Sequence, residues 1–194
     1  MLYLASSSPR RAELLTQIGV EFTTLKVDVD ETPLPGEQIA DLVIRLSRQK
    51  ALTGRQQLSG LQADDLILAA DTLIHLDGRM LGKPDSYSDC CSMLQQLSGR
   101  RHQVLTAIAL IDAAGKVRDR CSHNEITFKP LSAQEIERYC HSGEPMDKAG
   151  AYAIQGKAAI FIRQLEGSYS SVMGLPLFDT AELLQQAGYK LSQV

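Results

Sequence analysis

The sequence concentrates hydrogen-bond donors in one short segment near its amino terminus, Ser6–Arg11. The segment follows an apolar run, Leu2–Ala5, that predicts a buried strand, and its Pro9 is typical of the first position of a helix. At such a junction, free backbone N–H groups and the positive end of the helix dipole point into one place. Hydroxyl and guanidinium groups add donors that suit phosphate, and these come from Ser6, Ser8, Arg10 and Arg11. The alternative is a capped helix with solvated arginines.

Two acidic residues are candidates for metal binding or proton transfer. Asp71 and Thr72 follow the apolar run Leu66–Ala70, so we expect Asp71 at the end of a buried strand. A carboxylate there suits a metal ligand or a general base, although an aspartate that caps the following turn is the alternative. Glu31 lies in a loop made rigid by prolines, residues 28–36, and is a second candidate metal ligand. An exposed loop acid is its alternative explanation.

Two lysines complete the set of charged candidates. Lys50 follows Leu46 by four residues in a predicted amphipathic helix, so it lies on or near the apolar face. Its stem could run along that face to solvent, or its charge could point into a cleft. Lys83 lies in a tight loop, Gly82-Lys83-Pro84, and most lysines in such places are solvated. Together, the basic donors and two carboxylates suit a phosphate compound bound with Mg²⁺.

Several common catalytic motifs are missing from the sequence. It has no G-x-x-x-x-G-K-[ST] phosphate loop and no G-x-G-x-x-G dinucleotide motif. The four histidines show no ligand spacing, and no Ser/His/Asp set is evident. The residues alone therefore predict a metal-assisted enzyme that acts on phosphate esters or anhydrides.

Composition predicts a single globular domain over residues 1–194. The chain is 44% hydrophobic and 22% charged, with 20 basic and 23 acidic side chains and a net charge of −3. This balance excludes disordered, collagen-like and coiled-coil proteins and argues against non-specific nucleic-acid binding. Because the apolar runs are too short to span a bilayer, we expect no membrane segment and a soluble, cytoplasmic protein.

The four cysteines, at positions 90, 91, 121 and 140, match no zinc-binding spacing. Cys90 and Cys91 are too close in sequence to be ordinary disulfide partners. We therefore expect buried, reduced thiols and a reducing compartment.

The predicted elements mix βα units with long hairpins, which indicates an α/β or α+β fold around one mixed sheet. Strands are expected at Leu2–Ala5, Glu21–Val27, Leu66–Ala70, Leu73–Leu81 (a hairpin about Asp77-Gly78), Val104–Asp112, Val117–Phe128 and Ala158–Leu165. Helices are expected from Ser8 to Gly19, from Glu37 onward, from Ser86 to Gly99, from Ser132 towards His141, and over Pro176–Gln186.

Five segments carry a family resemblance, in register from about residue 2 to the last helix. They are Leu4-Ala5-Ser6-Ser7-Ser8-Pro9-Arg10-Arg11, Ala70-Asp71-Thr72, Gly82-Lys83-Pro84, Asp147-Lys148-Ala149-Gly150-Ala151-Tyr152 and Val172-Met173-Gly174-Leu175-Pro176. With these segments the chain resembles the Maf family of nucleoside triphosphate pyrophosphatases. Five motifs in order are far more specific than any one of them.

The resemblance implies hydrolysis of a nucleoside triphosphate to its monophosphate and pyrophosphate with a divalent cation, Mg²⁺ or Mn²⁺. It also implies a mixed-sheet α/β fold with two lobes around a cleft, related to the inosine-triphosphate pyrophosphatases. By position, Asp71 matches the family's proton acceptor, and Arg10, Thr72 and Gln155 match its specificity positions.

The segment Ala151–Gly156 is similar to the family branch that acts on dTTP and UTP. Ala153 replaces the glycine expected there, and a positive φ at that position would strain alanine. Two alternatives remain open at this stage: the sister branch that acts on 7-methyl-GTP, and a non-enzymatic regulator of cell division. The resemblance also makes a homodimer plausible.

Overall fold

The computed structural model describes residues 1–191 as a mixed α/β protein. Its strands are β1 (Leu2–Ala5), β2 (Thr23–Leu25), β3 (Leu66–Leu76), β4 (Arg79–Leu81), β5 (Arg101–Asp112), β6 (Val117–Phe128) and β7 (Ile162–Glu166). Its helices are α1 (Pro9–Gln17), α2 (Ile39–Gln56), α3 (Tyr87–Leu97), α4 (Ala133–His141), α5 (Tyr169–Met173) and α6 (Leu177–Gln186). Short 3₁₀ helices occupy Glu144–Asp147, Ala149–Ala151 and Lys157–Phe161.

The strands pair in the order β2-β1-β3-β5-β6-β7, and β4 pairs with β3. β1 is parallel to both β2 and β3, whereas β4 and β7 pair antiparallel with their neighbours. The prediction of a mixed central sheet is therefore confirmed. The chain divides into two compact units: the first holds Met1–Asp71, Thr106–Ser122 and the described residues from Gly174 onward, and the second holds Thr72–Leu105 and His123–Met173.

In the first unit, α2 packs very closely on the parallel strands. A Cβ added to Gly54 of α2 would lie 2.8 Å from the Cβ of Ala5 in β1. The contact is made among small and branched side chains: Ala5, Ala51, Ile67, Ala69, Ala109 and Ile111. Residues four apart share one face of a helix, so this close approach also brings Lys50, one turn before Gly54, over the same strands.

The second unit is centred on a cluster of aromatic side chains. The centroid of the Tyr152 ring lies 4.9 Å from that of Phe128 and 5.5 Å from that of His102. The Phe161 ring contacts the rings of both Phe128 and Tyr139. The ring pairs meet edge to face, the arrangement that the quadrupoles of aromatic rings favour. This packing fixes the start of the segment that includes Gln155.

The predicted helix starts are confirmed at α3 and α4. The Asp89 N–H donates to Ser86 Oγ at 3.1 Å, and Ser132 with Glu135 forms a complete capping box. At α1, Ser8 occupies the N-cap position, but across residues 1–191 its side chain makes no capping hydrogen bond. Instead the Ser8 N–H donates to Ser6 Oγ at 3.2 Å.

Four predicted strands differ from the structure, and one of them, β5, begins at Arg101 instead of at the predicted Val104. The predicted strand Leu66–Ala70 is the start of β3, which continues to Leu76. Asp71 therefore lies inside the strand, and the prediction that it lies at the end of the strand is wrong. The chain stays extended because residues 74–76 pair with β4 in the predicted hairpin, whose turn residues both have positive φ. β2 is shorter than predicted, and Lys157–Phe161 forms a 3₁₀ helix before β7 begins.

Two cysteines also contradict the sequence-based expectation. Cys90 of α3 and Cys140 of α4 form a disulfide with a Cα–Cα distance of 6.2 Å, so these are not reduced thiols. Cys91 and Cys121 are free. The pairing joins residues 50 positions apart, a separation that carries no pattern in the sequence. Among residues 1–191, no helix is both long and apolar enough to cross a membrane.

Candidate active site

Lys50 lies at the centre of a charge cluster in the first unit. Its Nζ donates to Asp71 Oδ1 and to Glu31 Oε1, each at 2.6 Å. The Lys50 and Asp71 side chains are only 13% and 7% exposed, whereas that of Glu31 is 58% exposed. The alternative in which the Lys50 stem runs to solvent is therefore wrong, because the amine turns inward between two carboxylates.

The carboxylate of Asp71 keeps one oxygen available for a further ligand. Asp71 Oδ2 is buried and has no hydrogen-bond partner within residues 1–191. Burial raises the pKa of Asp71 above its ordinary value, and the nearby charges of Lys50 and Arg11 oppose that shift. A buried carboxylate with a raised pKa and an unused oxygen is suited to accept a proton or to bind a cation.

The donor segment at the start of α1 is held by Arg11. Its Nη1 donates to Ser6 Oγ at 3.1 Å, and its Nε donates to the carbonyl of Gly174 at 2.9 Å. Burial lowers the pKa of the Arg11 guanidinium, with Arg10 acting in the same direction and Asp71 and Glu31 opposing it. The guanidinium still carries its full charge at neutral pH, so it adds a second fixed cation near Asp71.

The first unit thus brings together five of the predicted residues: Ser6, Arg11, Glu31, Lys50 and Asp71. Ser8, at the N-cap position of α1, and Arg10, in its first turn, are neighbours of Arg11 in the chain and are both half-buried. The contact between Arg11 and the Gly174 carbonyl was not predicted, because a backbone oxygen 163 residues away leaves no side-chain signal in the sequence.

The other predicted site residues, Thr72, Lys83 and Gln155, belong to the second unit. Thr72 is half-buried in β3, directly after Asp71, and Lys83 is exposed in the loop that follows β4. That loop is tied to the Gly-rich segment, because the Gly150 N–H donates to the Gly82 carbonyl at 2.8 Å. Gln155 is exposed in a turn that the Gly156 N–H closes on the Ala153 carbonyl at 3.1 Å.

Backbone strain in the Gly-rich segment lies at a different residue from the one considered in the sequence. Ala151 has a φ of 59°, and the non-glycine residues with positive φ in the described part of the chain do not include Ala153. Ala151 is fully buried, and the surrounding packing holds it in this conformation. The absence of glycine at position 153 therefore does not strain the turn that carries Gln155.

A divalent cation fits the first unit through oxygen ligands. Glu31 and Asp71 already converge on one Lys50 amine, and Asp71 Oδ2 is an unused buried acceptor. Across residues 1–191 there is no cluster of three or more His, Cys, Asp or Glu side chains that could hold a metal by themselves. Two carboxylates without a complete protein cage suit Mg²⁺, which keeps waters and takes substrate phosphates as its other ligands.

A buried carboxylate with an unused oxygen beside two fixed cations suits phosphate chemistry, in which positive groups stabilise the charge on the phosphate oxygens. The chain belongs to the Maf family, since the sequence profile described as Maf-like protein matches residues 1–187. The family predicted from the five motifs is therefore confirmed.

Proteins with curated names include relatives that match almost the whole chain. The dTTP/UTP pyrophosphatase of Aromatoleum aromaticum is 50% identical over 200 residues, covering 98% of this chain and 97% of that protein. The dTTP/UTP pyrophosphatase of Bordetella avium is also 50% identical, over 199 residues that cover 98% of this chain and 96% of that protein.

The fold also resembles that of a solved structure. The Ham1 protein of Staphylococcus aureus superposes with a TM-score of 0.51, covering 95% of this chain and 98% of that chain. The two sequences are 14% identical, so this likeness bears on the fold alone. It agrees with the α/β fold class predicted from the sequence.

Proposed function

We propose that this protein hydrolyses dTTP and UTP to their monophosphates and pyrophosphate. The observation that carries the proposal is the buried Asp71 carboxylate, with its unpartnered Oδ2, held beside the cations of Lys50 and Arg11. Identity of 50% to two enzymes named dTTP/UTP pyrophosphatase, over nearly the full length of all three chains, supports the choice of substrate.

In this reaction Asp71 is the proton acceptor. The oxygen of a water molecule forms a bond to the α-phosphorus. The bond between the α-phosphorus and the oxygen that bridges to the β-phosphorus breaks, and pyrophosphate leaves with that bridging oxygen. The water loses its proton to Asp71. Without a bound cation, burial raises the pKa of this carboxyl, which favours uptake of a proton.

Glu31 and Asp71 would hold the divalent cation, Mg²⁺ or Mn²⁺. When bound, the cation supplies positive charge to the phosphate oxygens and lowers the cost of the charge that develops on the leaving group. The Lys50 amine already neutralises part of the charge of both carboxylates.

The remaining predicted residues divide between phosphate and base. We assign the triphosphate to Ser6, Ser8, Arg10, Arg11, Lys50 and Lys83, which supply hydroxyl and cationic donors. We assign the base to Thr72 and Gln155, while Arg10 is also a specificity position by the family pattern. The Gln155 amide both donates and accepts, which suits the adjacent carbonyl and N3–H groups of uracil and thymine.

Product analysis tests the proposed reaction. Purified protein with Mg²⁺ or Mn²⁺ is incubated with dTTP, UTP, GTP and 7-methyl-GTP, and the nucleotide products and pyrophosphate are quantified. The proposal expects dTMP and UMP with equimolar pyrophosphate, and no turnover after chelation with EDTA. Release of orthophosphate with a diphosphate contradicts it. A preference for 7-methyl-GTP would move the chain to the sister branch, and no turnover of any substrate would favour a non-enzymatic regulator.

We further propose that residues 1–194 act as one Maf domain, in the cytoplasm, without nucleic acid and as a homodimer. The match of the family profile over residues 1–187 supports the single functional domain. Light scattering at several protein concentrations tests the homodimer, and a constant monomer mass would contradict it.

A further inference from the structure

The turn that carries Gln155 is anchored at its two ends by two side chains that are hydrogen-bonded to each other. Before the turn, the Ala153 N–H donates to the Tyr139 hydroxyl oxygen at 3.3 Å. After it, the Lys157 N–H donates to both carboxylate oxygens of Glu144, at 3.0 and 3.1 Å. The Tyr139 hydroxyl in turn donates to Glu144 Oε1 at 2.9 Å. Tyr139 and Glu144 therefore bridge the two ends of the turn.

The Glu144 carboxylate also lies directly against the backbone of the turn. A Cβ added to Gly156 would lie 2.2 Å from Glu144 Oε1 and 2.5 Å from its carboxyl carbon. The φ of Gly156 is −101°, which other residues adopt readily, so glycine is required here by the contact and not by the backbone conformation. The carboxylate and the turn are in contact with no room for a side chain between them.

The partners of this bridge are themselves fixed. Tyr139 is buried, and its ring meets that of Phe161 edge to face at 5.3 Å. Just before the turn, the Tyr152 hydroxyl is hydrogen-bonded to His102 Nε2 at 2.8 Å in the buried aromatic cluster. Gln155 is thus an exposed side chain on a backbone held by the buried Tyr139 and Tyr152 and by the half-buried Glu144, the support that a preorganised recognition residue needs.

We propose that Glu144 is a positioning residue for substrate choice. It acts through the Ala153–Lys157 turn, which it holds together with Tyr139, and so sets where the Gln155 amide is presented to the base. The inference rests on the proposed function, because it takes Gln155 as the residue that reads the pyrimidine. It adds a residue that does not touch the substrate.

The test compares kcat/KM for dTTP, UTP and GTP in the full-length protein and in Glu144→Ala. Glu144→Ala removes the charge-assisted hydrogen bonds from the Lys157 N–H and from the Tyr139 hydroxyl, which should lower kcat/KM for the two pyrimidine substrates about tenfold. The loss should appear mainly in KM, and GTP should change much less, so the preference for pyrimidines narrows. Glu137→Ala, which removes an exposed glutamate from α4, is the matched control and should change none of these values.

Two further variants keep the test decisive should Glu144→Ala fold poorly. Glu144→Gln keeps the shape of the side chain and one carbonyl oxygen that can accept a hydrogen bond. It should therefore retain most of the preference for pyrimidine substrates over GTP. Tyr139→Phe removes only the hydroxyl that accepts from Ala153, and it should narrow the preference several-fold. Circular dichroism and a thermal melt establish that each variant is folded before its kinetics are read.

The double variant Glu144→Ala/Gln155→Ala separates the inference from the proposed function. If Glu144 acts through Gln155, the double variant should have the same ratio of kcat/KM for pyrimidine substrates to kcat/KM for GTP as Gln155→Ala alone. Should Gln155→Ala narrow the preference while Glu144→Ala and Tyr139→Phe leave it unchanged, the inference alone is overturned. Should Gln155→Ala itself leave the preference unchanged, the assigned role of Gln155 fails and the inference falls with it.

Discussion

Lys50 and Asp71 form an ion pair in which both side chains are largely buried and the Nζ–Oδ1 distance is 2.6 Å. The same amine contacts Glu31 at 2.6 Å, but that carboxylate is mostly in solvent. A buried ion pair contributes little net stability, because desolvation of both charges offsets their attraction. The main effect of the pair is therefore to hold the Asp71 carboxylate in a low-dielectric site with one oxygen unused.

Because the pair is buried, removing one of its charges should destabilise the protein more than removing both. Lys50→Met leaves Asp71 buried without its partner and should lower the free energy of unfolding by about 3 kcal/mol at pH 7. Lys50→Met/Asp71→Asn removes both charges and should cost much less than the single variant. Urea unfolding followed by circular dichroism measures both, and equal losses in the two proteins would contradict the buried pair.

Asp71→Asn should abolish most of the turnover without unfolding the protein. The two side chains are nearly isosteric, but an amide cannot take a proton from water, so kcat should fall by about 10² or more, the usual scale of a lost general base. The matched control is Asp77→Asn, the same change at an exposed turn residue with positive φ, where asparagine is tolerated. Near-normal turnover in folded Asp71→Asn would remove this residue from the mechanism.

Elements fixed by local signals were predicted well from the sequence. β6 was predicted with the bounds Val117–Phe128 that the structure has, because its ends are set by a glycine turn on one side and a proline on the other. The α4 start was predicted from Ser132 and Glu135, whose reciprocal hydrogen bonds lie within a stretch of four residues.

Features that depend on distant partners could not be predicted in this way. β3 continues through Asp71 because its second half pairs with β4, which the apolar run Leu66–Ala70 does not reveal. Likewise, nothing in the sequence connects Glu144 to the backbone at Gly156, a contact made by a glycine and a carboxylate twelve residues apart. The charged residues of the site could be predicted because their residue types are informative. The hydrogen bonds from the Lys50 amine to both Glu31 and Asp71 could not be predicted.

Reduction of the Cys90–Cys140 disulfide should destabilise the protein. The bond closes a loop between residues 50 apart, for which chain entropy predicts a loss of about 4 kcal/mol in the free energy of unfolding. Urea unfolding with and without a reductant measures the loss, and thiol titration of the unfolded, oxidised protein should count two free thiols of the four cysteines. A Cys90→Ser/Cys140→Ser variant is the control and should not respond to the reductant. Four titratable thiols in the untreated protein would contradict the bond.

The buried imidazole of His102 predicts a loss of stability in weak acid. Burial lowers its pKa from 6.5 to about 4, and its Nδ1 is buried with no hydrogen-bond partner in the described part of the chain. In the unfolded chain the ring takes up a proton near pH 6.5, whereas in the folded protein it does so only near pH 4. At this side chain the unfolded state therefore binds more protons between these values, and the contribution of His102 to stability falls as the pH is lowered through this window.

The whole effect amounts to about 3 kcal/mol, since each unit of pKa difference is worth 1.36 kcal/mol. It should be fully present above pH 6.5 and largely lost at pH 4. Glu37 and Glu135, whose pKa values are lowered to about 2 by hydrogen bonds from Arg45 and Lys129, lose their contributions only at lower pH. Asp71, whose pKa is raised by burial, acts in the opposite direction as the pH falls, so the share of His102 is the difference between the protein and a His102 variant in urea unfolding at half-unit steps from pH 7 to pH 5. His102→Gln can still hydrogen-bond to Tyr152 but cannot titrate, so its free energy of unfolding should vary much less across this range; equal slopes in the two proteins would show that another group is responsible.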